Sequence, residues 1–356
     1  LMGKPGDSSP PKWLLQLMFK IHPKLRSRVN AAHEAVQSRR WLQDLAEWDE
    51  LKKDSIARNT ALQSIELVKL DRPGLITHLD SCFKNAEEMV YRHHKYSVGS
   101  LMPVGRFLDV ATLSTGLSAV DVAPLLKGST AVSKGIGGEQ LIAVVKAITA
   151  AGIVKNDLGE QKPETALNGL RENSQVNAAL ESYLFITGHM LIGGYCIAEK
   201  TLRESPNIIM ARILEAMKPA NESGFDVALE HTIRAKVPEQ NRAEFDLCLA
   251  DARSANRMRD ERGIYNDIWG SGISRCAILE AGRRLFGEGL LSNAELSLDA
   301  SHDELIGLLN GEFSATDEQL SQRREWRLTK SIDEVPEFLG DPPSDPPPVE
   351  LLPLKI

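Results

Sequence analysis

Apolar positions recur along this chain at intervals of three and four and nowhere alternate over the length of a strand, so the pattern predicts helices throughout. Leu14, Leu15, Leu17, Met18 and Ile21 make a first apolar patch, which Pro23 ends or bends. Between Leu25 and Val68 a strongly charged stretch carries Val29, Ala32, Ala35 and Val36 at helical spacing. It reads as one or two long helices, a coiled-coil-like arm more than a compact core. Asp71-Arg72-Pro73 is a helix start, a capping carboxylate with proline in the first turn, and an amphipathic helix continues over Leu75 to Tyr91. Ser97 to Gly138 is richer in glycine, serine and proline and is expected to be loop-rich. Its Met102, Phe107, Leu113 and Leu117 are irregularly spaced, which suits the wall of an apolar pocket or ordinary inter-helix packing. Ser133-Lys134-Gly135-Ile136-Gly137-Gly138 lacks the spacing of a phosphate loop and reads as the N-terminus of a helix over Glu139 to Ala151. A helix ending near Thr187-Gly188 leads into His189, Gly193-Gly194 and Tyr195, and Pro206 fits only the first turn of the next one. Helices resume through Ile268, and the predicted class is all-α, with many helices.

The most chemically loaded stretch runs from Arg253 to Leu291. Arg259, Arg262, Asn266 and Trp269 succeed one another at i+3, i+4 and i+3, which on a regular α-helix makes a single stripe. Two guanidiniums one turn apart there would cradle a phosphate or carboxylate. Asp260 and Glu261 interrupt the positive charge, which rules against a nucleic-acid patch. The plainer reading is a solvated face laced with ion pairs. Arg283 and Arg284 precede Gly287 and Gly289, which mark the end of the next helix.

Composition narrows the function classes. With 356 residues and 42% hydrophobic content, the chain can bury a sizeable core. A formal net charge of −7 and a pI near 5.7 oppose a general nucleic-acid binder. Cys82, Cys196, Cys248 and Cys276 form no CxxC pair and read as reduced, mostly buried thiols of a cytoplasmic protein. The longest apolar run, Leu141 to Ile153, is cut by Lys146 and too short to span a bilayer, so no membrane partner is expected. His93-His94 invites a metal reading, but neighbours on a helix diverge and no further ligand stands at ligand spacing, so no metal site is expected. The opening at Leu1 suggests a piece of a longer protein.

Several stretches together resemble a known family. Gly188-His189-Met190, then Gly193-Gly194 and Arg203-Glu204-Ser205-Pro206, is similar to the Gly-His-Arg … Trp-x-Glu-x-Pro run of rifampicin phosphotransferases and their phosphoenolpyruvate synthase-like relatives. Met102-Pro103 and the segment to Gly128 resemble the loops before it more loosely. Arg259-Asp260-Glu261-Arg262 through Leu279 to Leu285 resembles the family's later Arg-acid … Leu-Glu-x-Gly-x-Arg-Leu run. Asp303-Glu304-Leu305, Arg323-Arg324 and Leu339 to Pro343 resemble the family's sequence beyond that run. The resemblance covers the last half of the chain well and the first half weakly.

It implies one domain of a larger machine. Family members join an ATP-grasp domain, a helical acceptor-binding domain and a swivelling domain whose histidine carries the phosphate. None of the eight histidines here sits in the swivelling domain's Gly-Gly-x-x-x-His context. The resemblance therefore implies the acceptor-binding domain only. ATP and magnesium belong to a domain absent from this chain, which itself binds no cofactor, and the expected partners are a small-molecule acceptor and the ATP-grasp and phosphohistidine domains. The domain reading is a flexible lead over 1–12, a helical domain over 13–332 with its arm at 13–70 and pocket-forming helices at 71–332, and a Pro-rich linker over 333–356. By the resemblance, Arg259 and, at i+3 where the family has i+4, Arg262 face the transferring phosphate, while Met190 stands where relatives carry arginine. His189 would orient or deprotonate the acceptor. Met102, Phe107, Tyr195, Tyr265, Asn266 and Trp269 would line the acceptor pocket. Two other classes stay open, a non-catalytic helical binding or scaffold module and a ligase-type relative that activates a small molecule by phosphorylation, as prodigiosin-type synthases do.

Overall fold

The computed structural model describes residues 12–127, 137–218, 226–312 and 315–334, with the single positions 336 and 340. The flexible lead, most of the glycine-containing stretch 133–138 and nearly all of the Pro-rich linker lie outside the described residues. The protein is all-α. Its helices are α1 Lys12–Ile21, α2 Pro23–Gln37, α3 Arg40–Gln63, α4 Arg72–Lys95, α5 Ser97–Thr115, the short α6 Ala119–Val122, α7 Gly138–Ala150, α8 Lys155–Gly159, α9 Pro163–Glu172 and α10 Ser174–Thr187. After them come α11 Pro206–Ala216, α12 Val227–Ala235, α13 Arg242–Arg262, α14 Trp269–Gly287, α15 His302–Leu309 and α16 Asp317–Thr329. Among the described residues the only β-pairing is an isolated bridge between Leu191 and Thr201. No described helix is long and apolar enough to cross a membrane.

Local sequence chemistry sets many of the boundaries. Asp71 caps α4 by accepting a hydrogen bond from the Gly74 amide at 2.8 Å, with Pro73 in the first turn. Pro206 opens α11 as expected. Reciprocal capping boxes start α15 at Ser301 and α16 at Thr316, each satisfying two otherwise orphaned backbone donors.

The arm expected over 13–70 is only half an arm. Helix α2 buries none of its residues, but α3 buries Trp41, Trp48, Ser55 and Asn59 against the body. Trp48 donates through Nε1 to Glu261 at 2.9 Å, and the Lys52 ammonium meets the same carboxylate at 3.0 Å. Two indoles on one side of α3 supply the packing that a simple charge count along the stretch conceals. Arg39, the one described non-glycine with positive φ, turns the chain between α2 and α3 and clamps Asp251 with its guanidinium.

A second correction concerns 97–138. Ser97–Thr115 forms one continuous helix, with Pro103 inside it and Gly116 closing it at φ +71°. Ser97 and Ser100 engage α13 by accepting hydrogen bonds from Arg262, and Gly99 packs closely on Asp44 of α3. Phe107 is fully buried edge-to-face on Phe245, in a cluster with Leu125, Ile233 and Leu249.

Helices α13 and α14 form the spine. Helix α5 lies along α13, α4 and the 3₁₀ turn Ala294–Asp299 lie along α14, and α3 crosses both. The largest apolar cluster gathers Leu75, Leu79, Trp269, Ile273, Ala277, Leu285, Leu305 and Leu309 around α14. A separate cluster joins α7, α9, α10 and α11 through Val144, Leu170, Leu180 and Ile213.

Candidate functional site

Between α13 and α14 the spine is not a regular α-helix. Gly263–Ile268 forms a π-helical turn, which inserts extra residues and leaves backbone carbonyls to find partners outside the usual ladder. Two partners are present. The Asn59 side-chain amide donates to the Tyr265 carbonyl at 2.8 Å, and the Leu191 backbone amide approaches the Ile268 carbonyl at 3.3 Å. Both come from distant segments, so the π-turn is secured by tertiary structure and could not be read from local periodicity.

The π-turn takes Asn266 and Trp269 off the α-helical register of the expected stripe, while Arg259 and Arg262 both lie within α13 and differ in burial. Arg259 is 49% exposed and bonds its neighbour Asp260 at 3.0 Å. Arg262 is buried, and its guanidinium donates to the His93 carbonyl, to Ser97 Oγ at 3.0 Å, to Ser100 Oγ at 2.9 Å and to the Met258 carbonyl at 3.2 Å. The two arginines therefore do not make a paired cradle. Arg262 ties the junction of α4 and α5 to the spine, and burial lowers its pKa. Asn266 is fully buried with neither side-chain amide atom bonded among the described residues. Trp269 is likewise core, donating to Gln63 at 2.7 Å, and Tyr265 sits half-buried near it beneath the Lys52 ammonium. Phe107 belongs to another cluster and Met102 is half-buried on α5, so the expected apolar wall is not assembled as one surface.

The residues that do converge on the π-turn are partly unexpected. His93 Nδ1 stands 2.6 Å from Asp267 Oδ2, near enough to share a proton although ring and carboxylate are not aligned for a linear hydrogen bond. Asp267 Oδ1 is buried without a partner. Burial pushes the Asp267 carboxyl up to about 7, with Arg262 opposing the shift. Burial also lowers His93, helped by the positive charges of Arg262 and His94. Tyr195, 59% exposed, sets its ring edge-on to His93 at 6.3 Å. Its hydroxyl packs so near Gly263 that a Cβ there would lie 3.0 Å away.

The segment 188–205 is laid on α14. Glu204 accepts both arms of the Arg275 guanidinium at 2.9 and 3.0 Å and also the Thr201 amide and hydroxyl, while Arg275 reaches the Ile197 carbonyl at 2.8 Å. Glycine is required at 272, because a Cβ there would fall 1.6 Å from the His189 carbonyl oxygen. His189 itself is largely buried with Nδ1 unpartnered, and burial holds its pKa down to about 4. It is neutral across ordinary pH, but it is not shown beside the His93–Asp267 pair.

No signal in the sequence marks Asp267 or Arg275, and Glu204 stands out only within the Arg203-Glu204-Ser205-Pro206 run, because their partners lie far along the chain. His93 drew notice only as half of a histidine doublet. No described group of three or more histidine, cysteine or carboxylate side chains could hold a metal ion. All four cysteines are free, Cys196 exposed and Cys82 and Cys248 buried. No protein-family model matches the chain, and no curated protein matches its sequence.

Proposed function

We propose that this chain is the acceptor-binding helical domain of an ATP-dependent dikinase-type phosphotransferase, taking phosphate from a phosphohistidine carried by a swivelling domain outside this sequence. ATP and magnesium then act on a further, ATP-grasp domain. One observation supports the reading. The two segments that resemble the family, 188–206 and 259–285, pack on each other through the bidentate Glu204–Arg275 pair, whose members lie 71 residues apart, and through the His189 carbonyl over Gly272. A charge-assisted, two-point contact fixes their register more firmly than apolar packing alone. The junction they form carries the buried ionisable pair His93–Asp267, and perturbed titratable groups cluster at working sites.

Within this reading Arg259 is the cation that meets the incoming phosphate, since its bond to Asp260 is a surface ion pair worth little and readily exchanged. Arg262 has a holding role. A non-catalytic binding module is the second reading, favoured by the separation of Arg259 from Arg262, which leaves no paired cradle between them. The experiment uses the chain supplied with ATP-grasp and phosphohistidine domains. Arg259→Ala is expected to abolish acceptor phosphorylation while ATP-dependent histidine phosphorylation continues. Loss of both steps would sink the assigned role, and loss of neither would favour the binding module.

A further inference from the structure

The π-turn carries a feature that the phosphotransfer reading did not require. Asp267 and His93 meet across two helices with no other hydrogen-bonding group between them. His93 Nε2 has no partner among the described residues, and the side chain is 20% exposed. We propose that Nε2 of His93, whose Nδ1 faces the Asp267 carboxyl at 2.6 Å, accepts the proton of a hydroxyl-bearing small molecule bound beside Tyr195 at the π-turn. This inference deepens the acceptor-binding reading and rests on it.

Two of the charged and titratable groups around His93 act in one direction, and Asp267 faces them with the opposite sign. Arg262 from α13 and His94 from α4 oppose a positive charge on the ring, as does burial, so the imidazole keeps its lone pair at neutral and mildly acidic pH. Asp267 from the π-turn is the one anion-forming partner in contact. Burial raises its carboxyl to about 7, so it is ionised, and offsets an imidazolium at His93, only near and above that pH. Tyr195 from the 188–205 segment covers one edge of the ring. Arg262 also bonds the His93 backbone carbonyl, which fixes the base where the end of α4 meets the spine. In the transfer step the acceptor oxygen forms its O–P bond as the phosphohistidine P–N bond breaks. The electron pair of that bond returns to the departing imidazole, and the hydroxyl proton passes to His93 Nε2 and then to solvent.

The test is acylation of the full chain with diethyl pyrocarbonate, which attacks neutral imidazole, mapped by mass spectrometry from pH 5 to 8. His93 is expected to be modified at a rate that persists below the ordinary imidazole range, because burial lowers its pKa. Asp267→Asn is expected to lower the His93 rate several-fold at pH 8, where the Asp267 carboxyl is ionised, and to change it little at pH 5. An unmodified His93 beside a reactive His94 overturns the proposal, and this comparison needs no variant to fold. So does a rate at pH 8 unaffected by Asp267→Asn in protein with a native melt. In the chain supplied with its dikinase domains, with rifampicin and glycerol as hydroxyl probes, His93→Gln should still permit phosphohistidine formation but lose transfer. Undiminished transfer in His93→Gln overturns the proton-acceptor role and leaves the phosphotransfer reading standing. A phosphorylated wild type that passes its phosphate to neither probe nor water overturns the phosphotransfer reading, and the proton-acceptor role with it.

Discussion

The cluster joining α7, α9, α10 and α11 and the junction at the π-turn are both well buried, and they are built on opposite terms. The first holds Val144, Ile148, Leu167, Leu170, Leu180, Leu184, Ile209 and Ile213, with no charged side chain among its buried members. Asn173 caps α10 there by accepting the Gln175 and Val176 amides, each at 3.1 Å. The junction instead buries Arg262, Asn266, Arg275 and much of Asp267 and His93, and leaves both polar atoms of Asn266 and one Asp267 oxygen without partners. Apolar burial is favourable wherever it occurs, whereas unpartnered polar groups carry a desolvation cost of about 1–3 kcal/mol each. A fold retains such groups where they serve something other than stability. Under the proposed function, the junction is where such groups would be in use.

The sharpest way to break the comparison is to remove one anchor from each side. Arg275→Ala leaves Glu204, a third exposed, with only Thr201 as donor, and should cost about 1.5–3 kcal/mol, the range for hydrogen bonds to a charged group. Leu180→Ala should cost about 2–5 kcal/mol through transfer and cavity terms. The sizes overlap, but the location of the damage should not. Hydrogen exchange is expected to speed up across 188–205 in Arg275→Ala and to stay protected there in Leu180→Ala. Equal loosening of 188–205 in both would mean that the junction is not held separately.

Acid titration sharpens the contrast at a smaller scale. Folded His189 sits near 4, below its ordinary value, so its contribution is present above about pH 6.5 and is lost as pH falls toward 4. Folded Asp267 sits near 7, above its ordinary value, so its contribution is present at low pH and is lost as pH rises through 7. Between pH 4 and 6.5 the two slopes oppose and partly cancel, each amounting to at most about 3.5 kcal/mol at about 1.4 kcal/mol per unit. Asp267→Asn should therefore turn stability steeply upward with pH across that window, and His189→Gln should turn it downward. Chemical denaturation at three pH values reads both, and unchanged slopes in the pair of variants would count against these buried environments.

Much of the fold was legible in the residues, because capping and helical period act locally. Asp71, Pro206 and the closing Gly289 stand where the sequence placed helix ends. The failures share a cause. The two buried tryptophans of α3 were hidden inside a charged pattern, and Ser97–Thr115 looked loop-like because small residues that serve close packing also favour loops. The site was less legible still. Helical spacing put Arg259, Arg262, Asn266 and Trp269 on one face. A π-turn supported by Asn59 and Leu191 took Asn266 and Trp269 off that register, and Ser97, Ser100 and the His93 carbonyl engage Arg262 in the interior. Asp267 was one residue away from the predicted stripe, and only the third dimension shows that it meets His93.

The smallest expected effect on stability belongs to Arg259, and that is what makes it informative. Its side chain is half in water and its bond is to the adjacent Asp260, so Arg259→Ala should shift stability by no more than about 0.5 kcal/mol. Arg262→Ala differs by only three positions but withdraws the donor from Ser97, Ser100 and the His93 carbonyl, and should destabilise strongly. A residue that contributes nothing measurable to the fold yet is needed for phosphate to reach an acceptor must act on the phosphate itself. Thermal melts of the two variants, set beside the transfer assay, separate that case from indirect damage. If Arg259→Ala melts as early as Arg262→Ala, its loss of transfer would report unfolding and the cation would lose its assigned part in the chemistry.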